Sequence, residues 1–292
     1  MGYIFLLIAL IAGTTKGFLG KKLSNTVVTH RQSVFVNLIR MILCIVISIG
    51  VLLVQSGGFR IVIDIPALIF GSMAGVTLSV FTVTWLMSMR HGVYMLVSVA
   101  QTFGMVITLV GSFLVFREKI GWQQILGVGI LIAAVLVTAS YSRSQKGRLT
   151  VKAVILLILC GVSCGLYDFS QKLFTAFSTA EISTLNLLTY IAAAMVLFLF
   201  FMISEADAQI KTKELFRKTI WNVMAASVCL FVNSYFMALS TRYLTATQLY
   251  PVSRAGGMIA AALMSAIFFG EKITLRCVAG ISLSFIAILL LK

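Results

Sequence analysis

Apolar residues in this chain fall into long unbroken runs, and polar residues into the short gaps between them. Residues 65–89, 92–116, 120–142, 182–204 and 219–241 contain no charged side chain. Each reaches the ~20 residues that carry a helix across ~30 Å of hydrocarbon. Five further runs, at 2–20, 33–54, 153–171, 243–269 and 273–291, hold one charge in or beside them. Backbone N–H and C=O groups find no water partner in lipid, so such segments satisfy themselves as helices. The pattern predicts an all-α membrane protein of ten transmembrane helices, with the lipid bilayer as its solvent and no soluble domain.

The pattern also repeats. Phe116-Arg117-Glu118-Lys119-Ile120 opens the last run of the first half, and Phe269-Gly270-Glu271-Lys272-Ile273 opens the last run of the second, 153 residues later. Gly127 and Gly280, Gln101 and Arg254, and Gly104 and Gly257 keep the same offset. The halves divide into residues 1–140 and 153–292, joined by a basic polar linker at 141–152. Five spans per copy is an odd number, so the second copy must cross the membrane in the opposite sense. Two inverted five-helix repeats are a common transporter plan, with the substrate site between them near the midplane. Small residues four apart, Gly13 with Gly17 and Gly161 with Gly165, predict a close helix pair where the first helices of the two repeats meet.

Composition agrees. The chain is 60% hydrophobic and 11% charged, against about 45–50% and about 25% in soluble domains. The net charge of +15 does not point to nucleic acid, because the basic residues sit in short inter-helix loops and form no groove interleaved with aromatics. Loop charge of this kind records orientation, and its distribution places both termini outside. Tyr3, Trp85, Trp122 and Trp221 lie near span ends, where aromatic anchors collect. Cys44, Cys160, Cys164, Cys229 and Cys277 all lie in apolar runs and read as small buried hydrophobes, not as disulfides or a metal site. The first run has no basic leader or cleavage signal and reads as helix one. No zinc, nucleophile-elbow or phosphate-loop motif occurs, so no enzyme is expected.

Four charges fall inside predicted spans: Lys16, Arg40, Asp168 and Arg254. A mid-bilayer charge costs about 2.5–3.5 kcal/mol on insertion scales and normally faces an interior or a cavity. Arg254, about ten residues into its run and just after the helix-disturbing Pro251, is the strongest candidate for holding an anionic group. Asp168 could pair with Arg254, bind a cationic group or take up a proton. Arg40 could line a cavity or reach the interface, and Lys16, close to the end of its run, is expected to snorkel. Gln101, Tyr94, Asn233 and Tyr250 are further candidates for the binding site, and Asn186, Tyr190 and Tyr235 could also line it. Pro251, Glu118 and Glu271 are read as hinge or gating positions. No cofactor is expected beyond a coupling proton or ion.

The repeated Phe-x-Glu-Lys-Ile turn with a glycine seven residues beyond its Ile, Lys22 and Lys172 ending the first and sixth helices, early Arg40, and Tyr250-Pro251-Val252 together resemble the EamA-type transporters of the drug/metabolite transporter (DMT) superfamily. The resemblance spans the whole chain as two EamA-like repeats. It implies a bacterial cytoplasmic (inner) membrane protein with a central cavity from helices 1–4 and 6–9, helices 5 and 10 being peripheral. It also implies termini on the cytoplasmic side, against the charge count. Tyr250 stands where the family often has an acid before the proline. The sequence therefore predicts a secondary transporter of a small polar metabolite (amino acid-like, organic anion or drug-like), exporting by alternating access as two five-helix bundles rock. A homodimer is the protein partner to look for. The competing expectation is a membrane scaffold in which Arg254 and Asp168 pair across a closed interior.

Overall fold

The computed structural model describes residues 1–56, 63–91, 94–116, 121–146, 150–204, 212–244, 246–270 and 274–291. The described residues form ten α-helices and no strand: α1 (Gly2–Thr26), α2 (His30–Ser56), α3 (Ile65–His91), α4 (Tyr94–Phe116), α5 (Trp122–Lys146), α6 (Val151–Phe177), α7 (Ile182–Ile203), α8 (Thr212–Ser240), α9 (Ala246–Phe269) and α10 (Leu275–Leu291). Eight of them are long and apolar enough to cross a membrane, and α5 and α10 offer the shorter apolar stretches Ile125–Ala134 and Leu275–Ala287. Outward-facing side chains such as Leu7, Val46, Leu199 and Ile267 are more than half exposed, as helices solvated by lipid should be. Polar groups are turned inward.

Packing runs between the halves more than within them. The main partners are α1 with α8 and α9, α3 with α6 and α7, α2 with α7 and α8, α4 with α6 and α9, and α5 with α10. Exchanging each helix for its counterpart five places along maps this list onto itself. The α1–α8 contact becomes α6–α3, α2–α8 becomes α7–α3, and α2–α7, α4–α9 and α5–α10 map onto themselves. The expectation that each repeat makes a bundle of its own is therefore corrected: the halves interlock. A helix in lipid gains little by touching its sequence neighbour, so the tightest contacts form wherever small residues let backbones meet.

The glycines show where that happens, and it is not where the sequence suggested. Gly161 and Gly165 of α6 lie against the backbone of Ala100 and Gly104 of α4, and a β-carbon at any of the three glycines would strike main-chain atoms. Gly71 and Gly75 of α3 lie against α7 at Leu188 and Ala192. Gly13 and Gly17 of α1 do not meet α6. They make room for Asn233 of α8 and Tyr94 of α4, and Gly20 for Trp85 of α3.

Polar contacts fix the ends. The Asp64 carboxylate caps α3 through Ala67 N (2.7 Å) and also accepts from Ser178 Oγ (2.9 Å) and Thr179 N (2.8 Å) in the α6–α7 turn. The Thr179 amide and then the Ala67 amide stabilise its ionised form, holding its pKa down at about 2. Thr150 caps α6 by accepting from Ala153 N at 3.3 Å. Gly270, just after α9, has a φ of 63°, one that L side chains rarely adopt.

Candidate functional site

α1, α3, α4, α6, α8 and α9 line a cavity of about 120 Å³. These are three exchange-related pairs, α1 with α6, α3 with α8 and α4 with α9. α2 and α7, expected among its walls, contribute no lining residue, and α5 and α10 stand outside. The cavity exists because one seam is shut and its counterpart is not. Gly104 is pressed onto α6, whereas Gly257, at the matching position of α9, has open space where a β-carbon would be and lines the cavity.

Arg254 and Asp168 meet on its wall. The guanidinium Nη2 donates to Asp168 Oδ2 in a short charge-assisted bond and to Cys164 Sγ at 3.2 Å. Tyr250, buried, donates from its hydroxyl to the Asp168 backbone carbonyl at 3.1 Å. It is absent from the cavity lining, so it braces α6 against α9 instead of facing the lumen. Cys164, read from sequence as inert packing, accepts from the arginine. Pro251 lies within α9, which continues through it. Glu118 and Glu271 fall outside the described residues.

Next to the ion pair runs a chain of neutral hydrogen bonds. Ser234 Oγ donates to Asn186 Oδ1 (2.8 Å), so its contact with Tyr167 (2.6 Å) takes the tyrosine proton, and Gln171 Nε2 donates to Tyr167 Oη (2.7 Å). Asn186 stands one step behind the wall, and Tyr190 and Tyr235 do not line the cavity. Gln101 and Tyr94 do, facing it from α4. Asn233 also lines it, anchored by Nδ2 to the Ala9 carbonyl at 2.7 Å.

Four expectations are corrected here. Lys16 does not snorkel: it lines the cavity, with Nζ 3.4 Å from Asn233 Oδ1 and about 6 Å from the rings of Phe81 and Trp85. α1 does not stop near residue 20 but runs to Thr26, because Lys21 is buried and donates to the Met89 carbonyl at 2.8 Å. Trp85 is no interfacial anchor; it is 3% exposed and forms part of the cavity wall, unlike Trp122 and Trp221 at 68% and 79%. Arg40 is neither cavity-lining nor interfacial. It is 1% exposed, donates to Asn37 Oδ1 at 2.8 Å, and holds its guanidinium 5.9 Å from the same Trp85 ring. No cluster of three metal-ligating side chains occurs among the described residues.

A sequence model described as the EamA-like transporter family matches residues 1–140 and again residues 151–292. One crystal structure of a protein superimposes with a TM-score of 0.63, covering 97% of this chain and 95% of its own at 14% identity, a likeness of fold alone. No curated protein matches.

Proposed function

The chain belongs to the EamA-like transporter family, multi-pass membrane transporters of the DMT type, and from that premise we propose that it is a secondary transporter of a small polar metabolite working by alternating access. The observation that carries the proposal is a polar cavity beside a charged pair in the middle of a lipid-solvated bundle. A scaffold would also pair Arg254 with Asp168, but it has no use for the space next to them. Keeping Lys16, Asp168 and Arg254 at a cavity wall is expensive in a membrane, and transport is the function that repays such groups.

In this reading Arg254 exchanges its carboxylate partner for an anionic group of the substrate. Asp168, released, receives either an amine of the substrate or a proton, which would couple transport to a proton gradient. The interlocked halves favour a motion other than two separate bundles rocking past each other. The motion is an exchange of seams, with α9 closing on α1 at Gly257 as α4 leaves α6 at Gly104. Export across a bacterial cytoplasmic membrane is the direction the family resemblance favours.

The test begins with ligand-dependent thermal stabilisation of purified protein across amino acids, organic anions and nucleosides, followed by uptake of each hit into proteoliposomes. Arg254→Ala alone strands a buried carboxylate, a loss of about 3–5 kcal/mol, and will destabilise the protein. The double variant Arg254→Gln with Asp168→Asn removes both charges and should fold with a near-native melting temperature while transporting nothing. Wild-type uptake by that variant would take the pair out of the site.

A further inference from the structure

Charge around the cavity does not balance. Among the described residues that line it or stand directly behind it, Lys16, Arg40 and Arg254 face a single carboxylate, Asp168, and Arg254 already holds that one. Besides the Phe81 and Trp85 rings, Lys16 Nζ has the long 3.4 Å contact with the Asn233 amide oxygen. Arg40 has a neutral amide partner, and its Nε and Nη2 are buried with no hydrogen-bond partner. Both cations lie 5.9 Å from one indole ring, that of Trp85. Among the described residues two positive charges therefore stand about the Trp85 ring with no carboxylate of their own, Arg40 buried and Lys16 facing the lumen. In a low-dielectric interior such an arrangement is unfavourable until an anion joins it.

The rest of the wall says what the body of that anion looks like. Thr14, Tyr94, Ser98, Gln101, Asn233 and Ser253 present neutral hydrogen-bonding groups, and the apolar side chains of the lining are limited to Leu10, Trp85 and Met237. A lipophilic compound would offer nothing to the polar side chains of Ser98, Gln101 and Ser253 on that wall.

We infer that Lys16, reinforced by Arg40 beside the Trp85 ring, is the anion anchor of the cavity while Arg254 is held by Asp168, and that the substrate is a hydroxylated organic anion. The inference rests on the cavity being the substrate site. Lys16 Nζ donates to the carboxylate or phosphate oxygens, the Trp85 ring borders that subsite, and the hydroxyls meet the α4 and α9 walls. Both a carboxylate and a phosphate ester satisfy this chemistry. Arg40 acts as a positioning residue, supplying field without contact.

Trp85 supplies the readout. The chain has three tryptophans, so Trp122→Phe with Trp221→Phe leaves the cavity indole as the sole reporter. Its emission is titrated in purified protein with gluconate, glycerol 3-phosphate, sorbitol and glucosamine. The expected result is saturable change with gluconate or glycerol 3-phosphate, the preferred one identifying the headgroup, and none with sorbitol or glucosamine. Lys16→Gln should weaken anion binding by about tenfold or more, the scale of a lost hydrogen bond to a charged group, while Lys16→Arg retains it. The melting temperature of Lys16→Gln should be unchanged or higher, because no buried partner is orphaned. Saturation by neither anion, equal binding of sorbitol, unaltered affinity in Lys16→Gln, or a lowered melting temperature in that variant each overturns the inference. Uptake into proteoliposomes separates the two readings. Lys16-dependent anion binding without uptake removes transport and leaves the anchor, whereas uptake of sorbitol at gluconate's rate removes the anchor and leaves transport.

Discussion

At the scale of single residues, the cost of charge in lipid was both the best guide and the source of the main error. Arg254 and Asp168 stood out because each interrupts an apolar run far from easy escape to water, and the structure brings them into contact. Lys16 is expected to snorkel because it stands close to the end of the apolar run 2–20. Burial of Lys21 on the Met89 carbonyl carries the helix onward and leaves Lys16 deep in the bundle. No local pattern announces a partner 68 residues away. Asp64 provides a residue-scale prediction outside the membrane spans. Its ionised form is favoured in the fold by the Thr179 and Ala67 amides, giving a pKa of about 2 against an ordinary 3.8. A depressed carboxylate pKa contributes stability that is present above the unfolded value and lost as pH falls through the folded one. The wild type should therefore lose melting temperature between about pH 4 and pH 2, and Asp64→Asn, already lower at neutral pH, should lose less over that window. Parallel curves for the two proteins would show that the carboxylate holds nothing in place.

At the scale of helices, small residues decide which faces meet. Sequence identified the glycine pairs but assigned them to one another, since four-residue spacing announces a close approach without naming the partner. In the structure Gly161 and Gly165 seat α4, while Gly13, Gly17 and Gly20 admit Asn233, Tyr94 and Trp85. The matched positions Gly104 and Gly257 differ in their surroundings, one against backbone and one facing open space. Gly104→Ala should destabilise the protein, by about 1–3 kcal/mol if it behaves as an overpacked core. Gly257→Ala should leave the melting temperature alone, yet slow transport, because the added methyl obstructs the seam that must close in the other half of the cycle. Equal thermal effects of the two substitutions, or full transport by Gly257→Ala, would contradict the seam exchange.

At the scale of the whole molecule, the doubled sequence accounts for the architecture: ten helices whose contacts are preserved when the halves are exchanged. What it did not disclose is the interlocking, which depends on three-dimensional pairing between segments more than a hundred residues apart, such as α1 with α8. It also did not disclose that α2 and α7 stay out of the cavity wall, although Arg40 on α2 looked like a lining residue. The exchange-related walls of the cavity are the physical reason to expect two states of similar energy, each the image of the other. Access to that cavity is therefore the property to measure. In a cysteine-free background, Ser253→Cys on the cavity wall is reacted with a membrane-impermeant thiol reagent applied to one face of proteoliposomes and then, separately, to the other. The account predicts modification from both faces, with protection on addition of a transported compound. A thiol at that position closed to reagent from one face under every condition would contradict it.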